Sequence, residues 1–261
     1  MAFRNGHNKP QKQGAHGVAR VISKRGFCSR SQAEKLVKEG RVTLRGKTVF
    51  DIDTPTYESD EILVDGVPVT ASSFVYFAMN KPRGIVTTAS DEKGRKTVMD
   101  LFREQFARMF PGKPMPHISP VGRLDAASEG LLLFTNDTQW ADEQLTSPTH
   151  KKIYRVQVAG KPTAAELSQM ETGFKVPPRV FGEKDEFMHA ERVTFVSVGE
   201  KNCWLEITLS EGKNREIRRM LAHLGYEVMR LIRIQFDNYK LEDLKPGEIR
   251  EIQISEFGIR N

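Results

Sequence analysis

The chain has 261 residues, of which 38% are hydrophobic, enough for one or two domains with real cores. Its net charge of +6 is uneven: residues 1–50 hold 12 Lys/Arg against only Glu34 and Glu39, and the rest holds 28 Lys/Arg against 32 Asp/Glu. A basic N-terminal end on a mildly acidic body suggests a polyanion-binding part joined to something else. The longest purely apolar run, "FVYFAM" (74–79), is far short of the roughly 20 residues that span a bilayer. No N-terminal stretch resembles a signal peptide, and Cys28 and Cys203 match no disulfide or ligand spacing. The expectation is a reduced, cytoplasmic setting without a membrane partner.

In chain order, residues 1–16 ("MAFRNGHNKPQKQGAH") are almost free of apolar side chains and are predicted to be a disordered basic tail. "VARVISKRGFCSRSQAEKLVKEGRVTL" then reads as two short helices and a strand. Val18, Val21 and Ile22 form the first apolar stripe, and Ala33, Leu36 and Val37 the second. Ser29-x-x-Gln32 and Ser31-x-x-Glu34 are overlapping capping-box candidates, and Gly40 stands where a helix ends. "EILVDGVPV" alternates around Asp65-Gly66, a type I′ turn signal. The polar positions carry many cations, which suits a phosphate backbone. Residues 17–73, and "SKRGFCSRSQAEKLVKEGRVTLRGK" above all, resemble the alpha-L-type RNA-binding motif shared with a small-subunit ribosomal protein. That resemblance implies shape-based RNA recognition, with Arg20, Lys24, Arg25, Arg30 and Arg45 as candidate RNA contacts. The bland alternative is a basic dimerisation or scaffold module.

A second domain is expected over residues 74–261. Strands are predicted at 74–79, 131–135, 152–158, 191–197 and 203–209, and helices at 97–108, 138–145, 163–170 and 214–224. The strands do not alternate cleanly with the helices, so the expected class is α+β.

Three segments carry candidate chemistry. In "VGRLDAASEGLLLFTND", Asp125 follows an arginine and stands at the lip of an apolar strand. Desolvation raises a carboxyl pKa and a neighbouring arginine lowers it. Both together give an ionised, fixed and dry carboxylate, the profile of a nucleophile or base. A structural Arg–Asp pair closing a turn is the alternative. "EGKNREIRRMLAHLGYEVMRLIRI" reads as a helix with Asn214 as candidate N-cap and Arg215, Arg218 and Arg219 in its first turns. Cations at a positively polarised helix start make sense when anions arrive from elsewhere. In "KKIYRVQV", Tyr154 offers a ring for stacking and a hydroxyl, although core packing is the ordinary role of one strand tyrosine. His117, His150, His189 and His223 are scattered, so no metal is expected. Trp140 and Trp204 sit in apolar contexts and read as core.

Taken in order with "NKPRGIVTT", these segments resemble the pseudouridine synthases, in the branch that modifies bacterial ribosomal RNA behind an alpha-L domain. The fold this implies is a small N-terminal RNA-binding domain followed by a catalytic domain built on a mixed, mainly antiparallel sheet. The resemblance makes Asp125 the catalytic aspartate, Tyr154 the tyrosine that stacks on the target base, and Arg218 the basic partner of the aspartate. Arg123 and Lys81 would support the catalytic loop or RNA, and Leu231 would line the pocket. Glu216, where many relatives have glutamine, reads as a branch marker. The implied reaction isomerises uridine without a cofactor, through attack on the anomeric carbon or deprotonation at the 2′ carbon, on an extruded base. The implied partner is ribosomal RNA, large-subunit before small-subunit, free or in an assembling particle, bound by a monomer. A non-catalytic assembly factor and a glycosidase with paired acids are the competing functions.

Overall fold

The structure is a computed structural model that describes residues 15–70, 73–88, 91–147, 149–178, 184–253 and 255. The chain divides into two compact units, residues 1–74 and 75–261. Residues 1–14 of the expected tail lie outside the described residues. His16 does not belong to a tail: β1 (His16–Gly17) pairs with Thr56 and Pro55.

In the first unit, α1 (Val18–Lys24) is followed by α2 (Arg30–Lys38). Of the two capping candidates the structure uses Ser29, whose hydroxyl accepts from Gln32 N while the Gln32 side chain accepts from Ser29 N. Four short strands form one antiparallel sheet: β2 (Val42–Leu44), β3 (Lys47–Val49), β5 (Ile62–Val64) and β6 (Val67–Pro68). The remaining strand, β4 (Pro55–Thr56), is the partner of β1. Asp65 and Gly66 both take positive φ, as a type I′ turn requires, and Arg45-Gly46 repeat that geometry. Val21, Ile22, Ala33, Val37, Val42, Ile62 and Val64 close the core.

The second unit is built on one mixed sheet. Its long strands are β7 (Tyr76–Lys81), β9 (Glu129–Thr135), β10 (Lys152–Ala159), β13 (Arg192–Val198), β14 (Asn202–Leu209), β15 (Val228–Phe236) and β17 (Ile249–Ile252). Their spatial order is β13-β14-β10-β15-β9-β7-β17. Short strands β8 (Ser119–Pro120) and β16 (Tyr239–Lys240) pair with β9 and β15, and β11 (Phe174–Val176) with β12 (Glu186–Met188) forms a separate ribbon. Every pairing in the large sheet is antiparallel except β9 with β15, where Ile232 faces Glu129 and Arg233 faces Gly130. The α+β expectation therefore holds, with one parallel joint at the centre of the sheet. Helices α3 (Val98–Met109) and α4 (Thr138–Thr146) pack on the β7–β9 half. Helices α5 (Ala164–Thr172) and α6 (Glu216–His223) cover the β10–β14 half. Trp140 is buried against Tyr76, edge to face at 5.0 Å, as its apolar context suggested.

Candidate active site

The segment from Leu124 to Ser128 has no regular hydrogen-bonding ladder, yet each of its five carbonyl oxygens has a donor. Thr87 Oγ1 donates to Leu124 O at 2.7 Å. Lys81 Nζ donates to Asp125 O (3.1 Å) and Ser128 O (2.8 Å), and also to Pro82 O (3.1 Å). Ser128 N donates to Asp125 O at 2.9 Å, and Gly84 N to Ala126 O at 2.7 Å. Arg218 completes the set, giving Nη2 to Ala127 O (3.1 Å) and Nη1 to Val228 O (3.0 Å). Such over-determination fixes a loop that no ladder holds.

Lys81 is therefore not positioned to touch RNA. It is fully buried beneath the loop, and burial pushes its ammonium down to about 8, with Asp125 and Glu129 opposing the shift. Arg218 does not pair with Asp125 through a hydrogen bond. Burial, with Arg215 and Arg83 nearby, holds its guanidinium below its ordinary value, and Asp125 partly offsets this. The side chain that reaches Asp125 is Arg215, whose Nη1 lies 3.4 Å from Oδ2. Arg215, rather than Asn214, is the N-cap residue of α6, and its left-handed φ of 53° turns it out of the helix. Both partners of this pair are about 40% exposed, so it contributes under about 1 kcal/mol. Asp125 is thus fixed, as expected, but not dry: its carboxylate opens on a cavity of about 430 Å³.

Tyr154 lines the same cavity from β10, facing Arg233 of β15 across a bulge. Arg123, Leu231, Ser128, Ile217 and Phe236 also line it, so Leu231 borders the pocket as expected, and Arg123, expected to support the loop or RNA, borders it too. Three buried polar side chains here were not singled out as site residues. Lys152 is 6% exposed and gives Nζ to Ser210 O at 3.3 Å. Arg233 is 4% exposed and gives Nε to Leu131 O at 2.7 Å. Glu216 is 3% exposed and accepts from Lys213 N at 3.1 Å. Burial first, then Glu211, pushes the Glu216 carboxyl up to about 7. One signal was available: Lys152 stands two residues before Tyr154 on a strand, and so on the same face.

In the first unit Arg20, Arg30 and Arg45 are exposed, Arg30 beside Glu34 and Arg45 near Asp60. Lys24 is partly buried and paired with Glu58 at 3.2 Å. Arg25 serves the fold: it donates to the backbone carbonyls of Val69, Glu58 and Asp60, tying α1 to the ends of the sheet.

Comparison with known proteins identifies the family. The RNA pseudouridylate synthase family matches residues 75–223 and the S4 domain family residues 18–53. Ribosomal large subunit pseudouridine synthase B of Bacillus subtilis is 34% identical over 90% of this chain and 91% of its own. An uncharacterised RNA pseudouridine synthase of Aquifex aeolicus is 35% identical over 92% and 91%. A solved structure of a pseudouridylate synthase, 28% identical, covers 93% of this chain and 98% of its own with a TM-score of 0.60. The chain carries an N-terminal S4 domain and belongs to the RNA pseudouridine synthase family of isomerases.

Proposed function

We propose that this enzyme isomerises a uridine of large-subunit ribosomal RNA to pseudouridine, with Asp125 as the reacting carboxylate. The observation that carries the reading is the clamped 124–128 loop, which holds one carboxylate rigidly at the mouth of a cavity that also contains an aromatic ring. The choice of RNA rests on the likeness to the Bacillus subtilis protein named for the large subunit, and on the S4 match over residues 18–53. The C1′–N1 bond breaks, leaving its electron pair on the base. The base turns, C5 bonds to C1′, the C5 proton leaves, and N1 takes up a proton. Asp125 attacks C1′ or removes the 2′ proton, and both routes need an ionised carboxylate held close to the ribose. Tyr154 supplies the stacking face for a base taken out of its helix. Because Asp125 is open to solvent in the free enzyme, the RNA itself excludes water when it docks.

The test is single-turnover tritium release from RNA labelled at C5 of uracil, run on large- and small-subunit transcripts alongside a binding measurement. Asp125→Asn is expected to bind RNA and release no tritium, and wild type to release it from the large-subunit transcript. Wild-type release by the Asn variant would remove Asp125 from the chemistry. Release from the small-subunit transcript alone would correct the substrate.

A further inference from the structure

The cavity that holds Asp125 and Tyr154 ends in a polar floor that those two residues do not explain. Lys152 and Tyr154 lie two apart on β10, and Arg233 faces Tyr154 across the bulged ladder, so all three project from one side of the sheet. Glu216 enters from the first turn of α6. Each of Lys152, Arg233 and Glu216 is more than nine-tenths buried, and all three line the cavity. Their placement is fixed by one bond each: Lys152 Nζ to Ser210 O, Arg233 Nε to Leu131 O, and Glu216 Oε2 from Lys213 N. The Phe236 ring lies against both cations, 5.5 Å from Lys152 Nζ and 5.1 Å from Arg233 Cζ.

What remains is hydrogen-bonding capacity. Arg233 Nη2 and Glu216 Oε1 are buried and have no partner among the described residues. Lys152 has one of its three ammonium protons engaged. A buried polar atom left unmatched costs a folded chain about 1–3 kcal/mol, so such groups rarely persist in a cavity without a ligand to meet them.

We propose that Arg233, Glu216 and Lys152 bind the hydrogen-bonding edge of the extruded uracil and hold it while the base turns. The proposal rests on the isomerase reading above and names how that site recognises its base. The edge of uracil presents O2, N3–H and O4: acceptor, donor, acceptor. Held with O2 and O4 on Arg233 and Lys152 and with N3–H on Glu216, that edge would meet its complement, two cationic donors and a carboxylate oxygen. Cytosine offers an acceptor at N3 and a donor at C4, and so meets like against like at two of the three positions.

The same arrangement survives the reaction. Isomerisation requires N1 and C5 to exchange places, which a half-turn of uracil about the axis through N3 and C6 accomplishes. That turn leaves N3–H where it was, on Glu216, and exchanges O2 with O4 between the two cations. The base can rotate without losing its register, because the donors on either side of the axis are interchangeable in kind. When the C1′–N1 bond breaks, the charge left on the ring spreads onto O2 and O4, the atoms the two cations hold. Electrostatic stabilisation and base selection then come from the same three side chains.

The test compares full-length enzyme on two RNAs that differ only at the target, one carrying uridine and one N3-methyluridine, both labelled at C5, by single-turnover tritium release. Wild type should convert uridine and reject N3-methyluridine by ~1000-fold or more, since a site built around a donor fails when the donor is gone. Glu216→Ala removes the acceptor and opens room for the methyl group. It should slow uridine by ~100-fold and shrink the discrimination below ~10-fold. Glu216→Gln retains a carbonyl acceptor and should restore discrimination. Arg233→Met and Lys152→Met should each slow the reaction without altering the N3-methyl ratio. Equal slowing of both substrates by Glu216→Ala would make the residue merely structural and overturn the proposal. So would a wild-type enzyme that accepts both substrates, a result independent of whether any variant folds. Failure of wild type to convert uridine at all would instead refute the isomerase assignment beneath it.

Discussion

Lys81→Met tests whether the loop that carries Asp125 is held from below. At neutral pH an ammonium that titrates at about 8 rather than 10.5 costs the folded state about 3 kcal/mol. Three hydrogen bonds from a charged donor to carbonyls return about 1.5–3 kcal/mol each. Met removes both terms. Asp125 O keeps Ser128 N as a donor, while Pro82 O and Ser128 O lose theirs. The balance is a destabilisation of about 1.5–6 kcal/mol. Catalysis by the folded variant should fall about 100-fold, because a displacement near 1 Å of a reacting group costs about that much. RNA affinity should stay within about twofold, since a fully buried side chain makes no phosphate contact. Urea denaturation, single-turnover tritium release and a binding titration separate the three quantities. Two pH signatures should vanish with the lysine. The wild-type rate should fall above about pH 8, where the neutral amine has two N–H groups for three carbonyls. The unfolded chain keeps this proton up to 10.5 and the folded chain releases it near 8, so this group's contribution to stability rises across that window. A folded Lys81→Met enzyme with the wild-type rate would refute the clamp. Thr87→Val, which removes only the Leu124 contacts, serves as the milder second variant.

Gly130→Ala should cost about 3 kcal/mol or more by thermal or urea unfolding, because a Cβ there would sit 2.3 Å from Arg233 O at a φ of +100°; a variant within 1 kcal/mol of wild type would mean the joint between β9 and β15 is looser than described. Arg25→Ala should lower the melting temperature of the S4 unit, since three backbone carbonyls lose their donor. Exposed Arg20→Ala should leave it unchanged while reducing the salt slope of RNA binding by about 1. The opposite pattern would exchange their roles.

The elements legible in the sequence were those whose signal is local. Ser29 and Gln32 cap α2 as their spacing suggested, and the helix expected at 138–145 forms at Thr138–Thr146. The loop at Asp125 and the strand at Tyr154 also stand where their neighbours implied. What was illegible depended on long-range geometry. The arginines 215, 218 and 219 follow one another on a helix start, and periodicity does not say which reaches across 90 residues to a carboxylate. The left-handed backbone at Arg215 decides it. Arg25 was expected to face RNA, because most arginines are exposed, and Lys81 to support the catalytic loop or RNA; both are consumed by backbone carbonyls, Lys81 by those of the loop. Strand β15 was not among the predicted strands because Arg230 and Arg233 interrupt its apolar alternation, although Arg233 is buried. The bulges against β10 disturb the period further.

The direction of β15 relative to β9 was the least readable feature, and the site depends on it. In a parallel pair both strands begin at the same end of the sheet, so the segments leading into them arrive side by side. The 124–128 loop leads into β9, and α6 leads into β15. Arg218 shows the consequence directly: one guanidinium reaches Ala127 O before β9 and Val228 O at the start of β15. Reversing either strand would send α6 to the far end of the sheet and leave Asp125 without its arginines. The joint is only two residue pairs long, and Gly130 stands in it between Lys81 on one side and Arg233 on the other. The residue that clamps the aspartate loop and the residue we place beneath the base are thus ladder neighbours of one glycine. A side chain at this position would meet the Arg233 backbone, its Cβ 2.3 Å from Arg233 O, and forcing the strands apart there would move the reacting carboxylate and the polar floor of the cavity together.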